Sequence, residues 1–250
     1  MRNYLSIINK SILYSFYAIF FITPLVLFPK TLELFEFNKL FFVYGVSLVI
    51  LFLWISKIVL LGKIVFKRTP LDIPIALFLL SQILSTIFSM DPYVSFWGYY
   101  TRFNGGLLSL ITYIFLYYAF TSNLFTHQIS EHEIPKNRQN KSADTTEHET
   151  VSGLPGFKIL IVSLLSGFAV ALWGFSSHFG HDLTCLMFRG SFDVSCWTDA
   201  FQPTVRLFST LGQPNWLAAY FSILIPVLLG IGISKLLSFF NTNDKYQVSN

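Results

Sequence analysis

Two arginines stand directly before turn-forming backbone in this chain, and their chemistry points to phosphate. Arg206 opens the stretch RLFSTLGQPNWLAAYF, in which Gly212, Pro214 and Trp216 lead into a long apolar run. Arg102 lies within STIFSMDPYVSFWGYYTRFNGGLL beside Asn104, Gly105 and Gly106, and an apolar run follows there too. A guanidinium presents a planar fork of N–H donors that matches phosphate oxygens two at a time. A helix start adds unpaired backbone N–H groups and the positive end of the helix dipole. Two such arginines on one face of a membrane could clamp a pyrophosphate whose lipid tail stays in the bilayer. The aromatic residues Tyr93, Phe96, Trp97, Tyr99 and Tyr100 would suit sugar stacking. Taken alone, Arg206 has a plainer reading, a side chain that snorkels from a helix end to phospholipid phosphates.

Composition puts the elements that carry these residues in a bilayer. Hydrophobic residues make up 53% of the 250 and charged residues 12%, with a mean hydropathy of +0.58. A soluble chain carries about twice that share of charge. Six apolar runs approach or reach the roughly 17–25 residues that a membrane helix needs. They are Ile12–Phe28, Leu40–Ser56, Ile73–Met90, Leu107–Phe120, Phe157–Phe175 and Trp216–Leu237. Period-two alternation is absent, which excludes strands and a barrel. The expected fold is all-α, a polytopic membrane bundle of about six transmembrane helices with both termini cytoplasmic. Arg2 and Lys10 precede the first run as in a signal peptide, but no small-x-small cleavage site follows, so a retained anchor is expected, with a cleaved signal as the alternative.

Orientation follows from the cations. Of the 17 lysines and arginines, Lys30, Lys39, Arg102, Arg189 and Arg206 fall on one side of six crossings, and the remaining twelve share the side of the termini. The larger group belongs to the cytoplasm, so Arg102 and Arg206 face outward. Three segments result: residues 1–125 with the first four helices and the Arg102 loop, residues 126–156 as a disordered cytoplasmic loop, and residues 157–250 with two helices and the Arg206 motif. The middle loop is polar and free of aromatics, and its His127, His132 and His148 lack metal-ligand spacing. In the third run Ser81, Ser85 and Ser89 recur at i, i+4 and i+8, flanked by Gln82 and Thr86. That stripe must face other helices or a water-filled cleft.

Other chemistries find little support. The net charge of +4 is spread between apolar runs without a basic patch, which argues against nucleic acid. No Gly-rich phosphate loop, HExxH or GxSxG is present. His178, His181, Asp182 and Cys185 sit close in sequence, and the two histidines would share a face if the fifth helix extended outward. No downstream ligand pair completes a metal pattern, so neither metal nor other cofactor is expected. Cys185 and Cys196 are the only cysteines. In an oxidising compartment a disulfide between them is feasible and would stiffen the approach to Arg206.

The two arginine stretches together resemble the bacterial O-antigen ligase/polymerase family of integral-membrane proteins. Ser89, Asp91, Ser95, Gly98, Arg102 and Gly105 match that family's Ser-x-Asp-x-x-x-Ser-x-x-Gly-x-x-x-Arg-x-x-Gly stretch. Arg206, Gly212, Pro214 and Asn215 match its arginine followed by Gly-Asn-Pro-Asn, with Gln213 in place of the first asparagine. The resemblance implies a metal-independent glycosyltransferase of the cytoplasmic (inner) membrane. Such an enzyme takes a glycan from an undecaprenyl-pyrophosphate carrier and passes it to an acceptor at the outer face. It implies Arg206 as a phosphate-binding residue, Arg102 as a second, and Asp91 and Asn215 as further substrate-binding positions. The lipid bilayer and the undecaprenyl-pyrophosphate-linked glycan are the implied partners, with no nucleic acid among them. Family members continue into further helices and a large external loop whose histidine acts on the acceptor. The 250 residues end at DKYQVSN without that loop, so this chain is expected to be the N-terminal, donor-binding half, with a separate C-terminal half or acceptor-side subunit as its complement. The alternatives are a non-catalytic membrane partner subunit or a transporter component. Few embedded charges and no visible inverted repeat weigh against the latter.

Overall fold

The structure, a computed structural model, describes residues 2–28, 30–31, 33–100, 102–124 and 155–247. In chain order its helices are α1 (Arg2–Ile22), α2 (Glu36–Leu61), α3 (Asp72–Ile87), α4 (Pro92–Trp97), α5 (Leu107–Leu124), α6 (Pro155–His178), α7 (Leu183–Arg189) and α8 (Pro214–Gln247). Among the described residues every element is helical and no strand occurs. The expected loop of residues 126–156, with its three histidines, lies outside the described residues except for its last two, which already belong to α6.

Five of these helices, α1, α2, α5, α6 and α8, are long and apolar enough to cross a membrane. The third apolar run gives less than expected. Its helix, α3, has 16 residues and stops at Ile87, before the predicted end at Met90. At about 1.5 Å per residue it spans roughly 24 Å, short of the roughly 30 Å hydrocarbon core. The reason lies in the next three residues. Asp91 accepts the Val94 N–H at 3.2 Å and caps α4, while Pro92 takes that helix's first position. A helix start just after Met90 obliges the preceding helix to end. The fourth run gains instead, since α5 continues past Phe120 to Leu124.

The chain forms two compact units, Met1–Ile159 and Leu160–Asn250. In the first, α1 packs on α2 and α5, α3 packs on α5, and α4 packs on both α3 and α5. The core joins Ile12 and Phe16 of α1, Ile50 and Trp54 of α2, and Ala119 and Leu124 of α5. Phe16 and Phe120 meet edge to face at 5.3 Å. Leu48, Phe52, Ile55 and Val59 on the opposite face of α2 are exposed. Such a face is unstable in water and suits lipid. Polar ties fix the far ends of these helices. Buried Lys57 of α2 donates to Asn123 Oδ1 of α5 at 3.0 Å, and Tyr118 of α5 donates to Asp72 Oδ1 at the start of α3 at 3.1 Å. The second tie sets α3 against α5 and so shapes the space between their other ends.

In the second unit α6 and α8 approach closely at Gly167, where any side chain would collide with Leu224. Farther along α6, Gly174 makes room for Leu207 and Ser209, whose side chains would lie 3.2 Å from an added Cβ. The segment carrying Arg206 is therefore seated directly on α6.

Candidate functional site

The approach to Arg206 is built around one buried carboxylate. Asp182, 1% exposed, receives the Thr184 N–H on Oδ1 at 2.7 Å, which caps α7, and the Trp197 indole N–H on Oδ2. Trp173 of α6 in turn donates to Thr184 Oγ1 at 3.1 Å. A disulfide joins Cys185 of α7 to Cys196, with Cα atoms 5.5 Å apart. Trp197 then packs edge to face on buried Phe208, their ring centres 4.9 Å apart. Ser209, held at a φ of 49°, donates to the Val170 carbonyl of α6 at 2.7 Å. A left-handed φ is costly for serine, and the buried hydrogen bond offsets that strain. Each link fixes the chain one step nearer to Arg206.

Arg206 itself sits in a turn whose backbone is closed by Gln202, since both the Val205 and Arg206 N–H groups donate to the Gln202 carbonyl. Gly212 takes a φ of 83°, a left-handed turn that glycine tolerates best, and Pro214 opens α8. Arg206, Gln202, Phe208, Gln213, Pro214 and Asn215 line a pocket of about 230 Å³ at this helix start. Arg206 and Asn215 are exposed, and the Arg206 guanidinium makes no hydrogen bond or ion pair with any described residue. An unpaired guanidinium beside the positive end of a 34-residue helix has the electrostatics of an anion site. Gln213 and Asn215 add neutral donors. Arg206 and Asn215, both expected as substrate-binding residues, are thus brought together.

Arg102 belongs to the first unit and has a different setting. Its Nε lies 3.6 Å from Glu36 Oε2 at the start of α2. No motif flagged Glu36, because the pair joins residues far apart in sequence and neither lies in a shared pattern. Phe103, at a φ of 54°, holds the loop by packing against Phe37, Phe41 and Tyr100. The loop closes on itself through glycines. A Cβ on Gly98 would lie 2.6 Å from the Phe103 carbonyl carbon, and one on Gly106 2.6 Å from the Phe96 oxygen. Gly105, the second glycine of the motif, needs its φ of 83° but faces open space. The serines and aspartate of the motif serve the same loop. Asp91 caps α4, and Ser95 donates to Ser89 Oγ at 2.6 Å. Asp91 therefore has a structural partner where the resemblance suggested a substrate contact.

The polar stripe of α3 divides. Ser81 turns back to the Phe78 carbonyl, whereas Gln82, Ser85 and Thr86 line a cleft of about 330 Å³ with Ser95, Asn104 and Ser109. Tyr93, Trp97, Tyr99 and Tyr100 are exposed near it in sequence.

The histidine expectation needs correction. Helix α6 ends at His178, and Gly180 turns the chain at a φ of 82° before His181. The two histidines therefore share no helical face, and His181 Nδ1 lies 3.0 Å from the Phe179 carbonyl. Asp182, Cys185 and Cys196 do cluster, their ligand atoms within 4.8 Å of one another. With the sulfurs bonded to each other and both carboxylate oxygens accepting hydrogen bonds, the cluster offers no thiolate pair. Farther out, a hydrogen bond from the Ser195 hydroxyl, helped by its backbone N–H, holds the exposed Asp193 carboxyl below the usual carboxylate range. That places a fixed negative charge on the loop next to Arg189, whose guanidinium reaches the Ser195 carbonyl.

Comparison with protein-family models, with curated proteins and with solved structures finds no match to this chain.

Proposed function

We propose that this chain is the donor-binding part of a glycosyltransferase resembling the O-antigen ligase/polymerase type. In this reading it handles an undecaprenyl-pyrophosphate-linked glycan at the outer face of the cytoplasmic membrane. The observation that carries the reading is the Arg206 pocket: an unpaired guanidinium, three amide residues and a helix start around about 230 Å³. A pyrophosphate leaving group gains charge as the glycosidic bond breaks, and such groups are what stabilise it. Arg102 is the weaker candidate, since Glu36 already offsets its charge. The test is binding of undecaprenyl pyrophosphate to the protein in nanodiscs. Arg206→Ala removes charge-assisted hydrogen bonds and is expected to weaken binding by about 10- to 100-fold, with Arg206→Lys recovering part of it. Binding unchanged in Arg206→Ala would remove the basis of the proposal.

The reading also takes α3 as a sixth, short crossing and both termini as cytoplasmic. The Cys185–Cys196 disulfide supports this, because disulfides persist in oxidising compartments. With Arg2 and Lys10 inside, the disulfide loop reaches the outside only after an odd number of crossings, so α3 must count with α1, α2, α5 and α6. A helix of 16 residues crosses by local thinning of the bilayer and snorkelling at its ends. Alkaline phosphatase, which is active only outside, is expected to be active when fused after Tyr100 or Asp199 and inactive after Gly62. Inactive fusions at the first two positions would turn both arginines to the cytoplasm and end the reading.

A further inference from the structure

The cleft between α3, α4 and α5 has a lining that the Arg206 pocket does not share. Its polar groups are hydroxyls and amides: Gln82, Ser85, Thr86, Ser95, Asn104, Ser109 and Tyr113. Neither lysine nor arginine lines it, and neither does an acid. Phe78, Leu107 and Leu110 supply an apolar wall on the same space. Two of the polar groups are uncommitted. The Gln82 amide and the Ser85 hydroxyl make no hydrogen bond with any described residue, although both stand on an apolar helix. The others are held in place by local bonds: Thr86 to the Gln82 carbonyl and Ser109 to the Gly106 carbonyl, both at 2.8 Å, Ser95 to Ser89, and Tyr113 toward Asn104. Free amides on a membrane helix are costly unless water or a ligand meets them.

We propose that this cleft binds a sugar ring, with Gln82 and Ser85 as the side chains that read its hydroxyls. A sugar ring combines edges of hydroxyl groups with faces of C–H, and the cleft offers neutral donors and acceptors beside an apolar wall. An anion finds no cation in this lining, and an acyl chain would leave the amide unmet. A volume of about 330 Å³ is at the small end of ligand sites and suits one or two rings. The inference deepens the reading above and rests on it for the kind of ligand, while its own support is the lining of the cleft.

The experiment is saturation-transfer NMR on the protein in nanodiscs, with methyl glycosides of hexoses and of N-acetylhexosamines as probes. The wild type is expected to transfer saturation to at least one glycoside. Gln82→Leu keeps the volume, removes both hydrogen-bonding ends, and is expected to lower that signal about fivefold. Ser85→Ala, which removes one exposed hydroxyl without touching the packing, is expected to lower it less, and Arg206→Ala not at all. A wild type silent toward every glycoside means a cleft filled by water alone and overturns the proposal. So does a signal that survives both Gln82→Leu and Ser85→Ala. If the glycosides bind while Arg206→Ala leaves undecaprenyl-pyrophosphate binding intact, the cleft stands and the donor reading falls. The opposite pattern sinks the cleft alone.

Discussion

Gly106→Ala is expected to destabilise the first unit by about 3 kcal/mol or more, the upper range for forcing a methyl group into filled space. The added Cβ would stand 2.6 Å from the Phe96 oxygen and 2.7 Å from the Trp97 carbonyl carbon. These are backbone atoms, so no side chain can rotate away. The backbone of α4 would have to retreat from the start of α5, and the loop bearing Arg102 would move with it. Gly105→Ala is the control. It places a residue at a φ of 83° in open space, and the expected loss is only the left-handed penalty of about 1 kcal/mol. Thermal unfolding in detergent, read beside the yield of monodisperse protein, ranks the two. Equal stability of Gly106→Ala and the wild type would mean that the Gly98–Gly106 approach is looser than described. The contrast has functional weight, because Gly105 is the glycine the sequence motif points to and Gly106 is the one the packing requires.

The second large effect is expected at Asp182. Truncation to alanine strips the cap from α7 and leaves the Thr184 N–H and the Trp197 indole N–H without their acceptor. A lost cap costs about 1 kcal/mol, and each buried unsatisfied donor about 1–3 kcal/mol. The expected total is about 2–4 kcal/mol, since part of the loss is shared between the terms. Asp182→Asn should lie between alanine and the wild type, because one amide oxygen can serve only one of the two donors while the NH2 faces the other. His181→Ala, next along the chain and exposed, is expected to change stability by less than about 0.5 kcal/mol. The measurement is the unfolding midpoint under oxidising conditions, with Trp197 fluorescence as a local readout. A fully stable Asp182→Ala would mean that the disulfide alone holds the segment. The Arg206 pocket would then depend less on this network than the geometry implies.

How much of this was legible in the residues depends on the range of the interaction involved. Apolar runs of membrane length are a local property, and they appear as helices because in hydrocarbon a backbone must satisfy its own hydrogen bonds. The third run shows the limit of that logic. Hydropathy continues through Phe88 and Met90, but Asp91 and Pro92 form a helix start, and capping outweighs hydropathy at that point. The Arg206 stretch was equally readable, since glycine, proline and the following apolar run specify a turn and a helix start without help from elsewhere. The polar stripe of the same third run announced a cleft or a helix contact, and only the packing of α3 against α5 assigned Gln82 and Ser85 to a cleft and turned Ser81 away.

Composition and short-range pattern therefore determined the apolar, membrane-length helices and the turn and helix start that follow Arg206. What tertiary structure alone decided are the pairings across distance. Glu36 beside Arg102, the Trp197 indole on Asp182, Ser209 on the Val170 carbonyl and the empty space beside Gln82 all join residues that share no local motif. Each depends on which helix faces meet, and that choice is made by the summed packing of the bundle rather than by any stretch of chain within it.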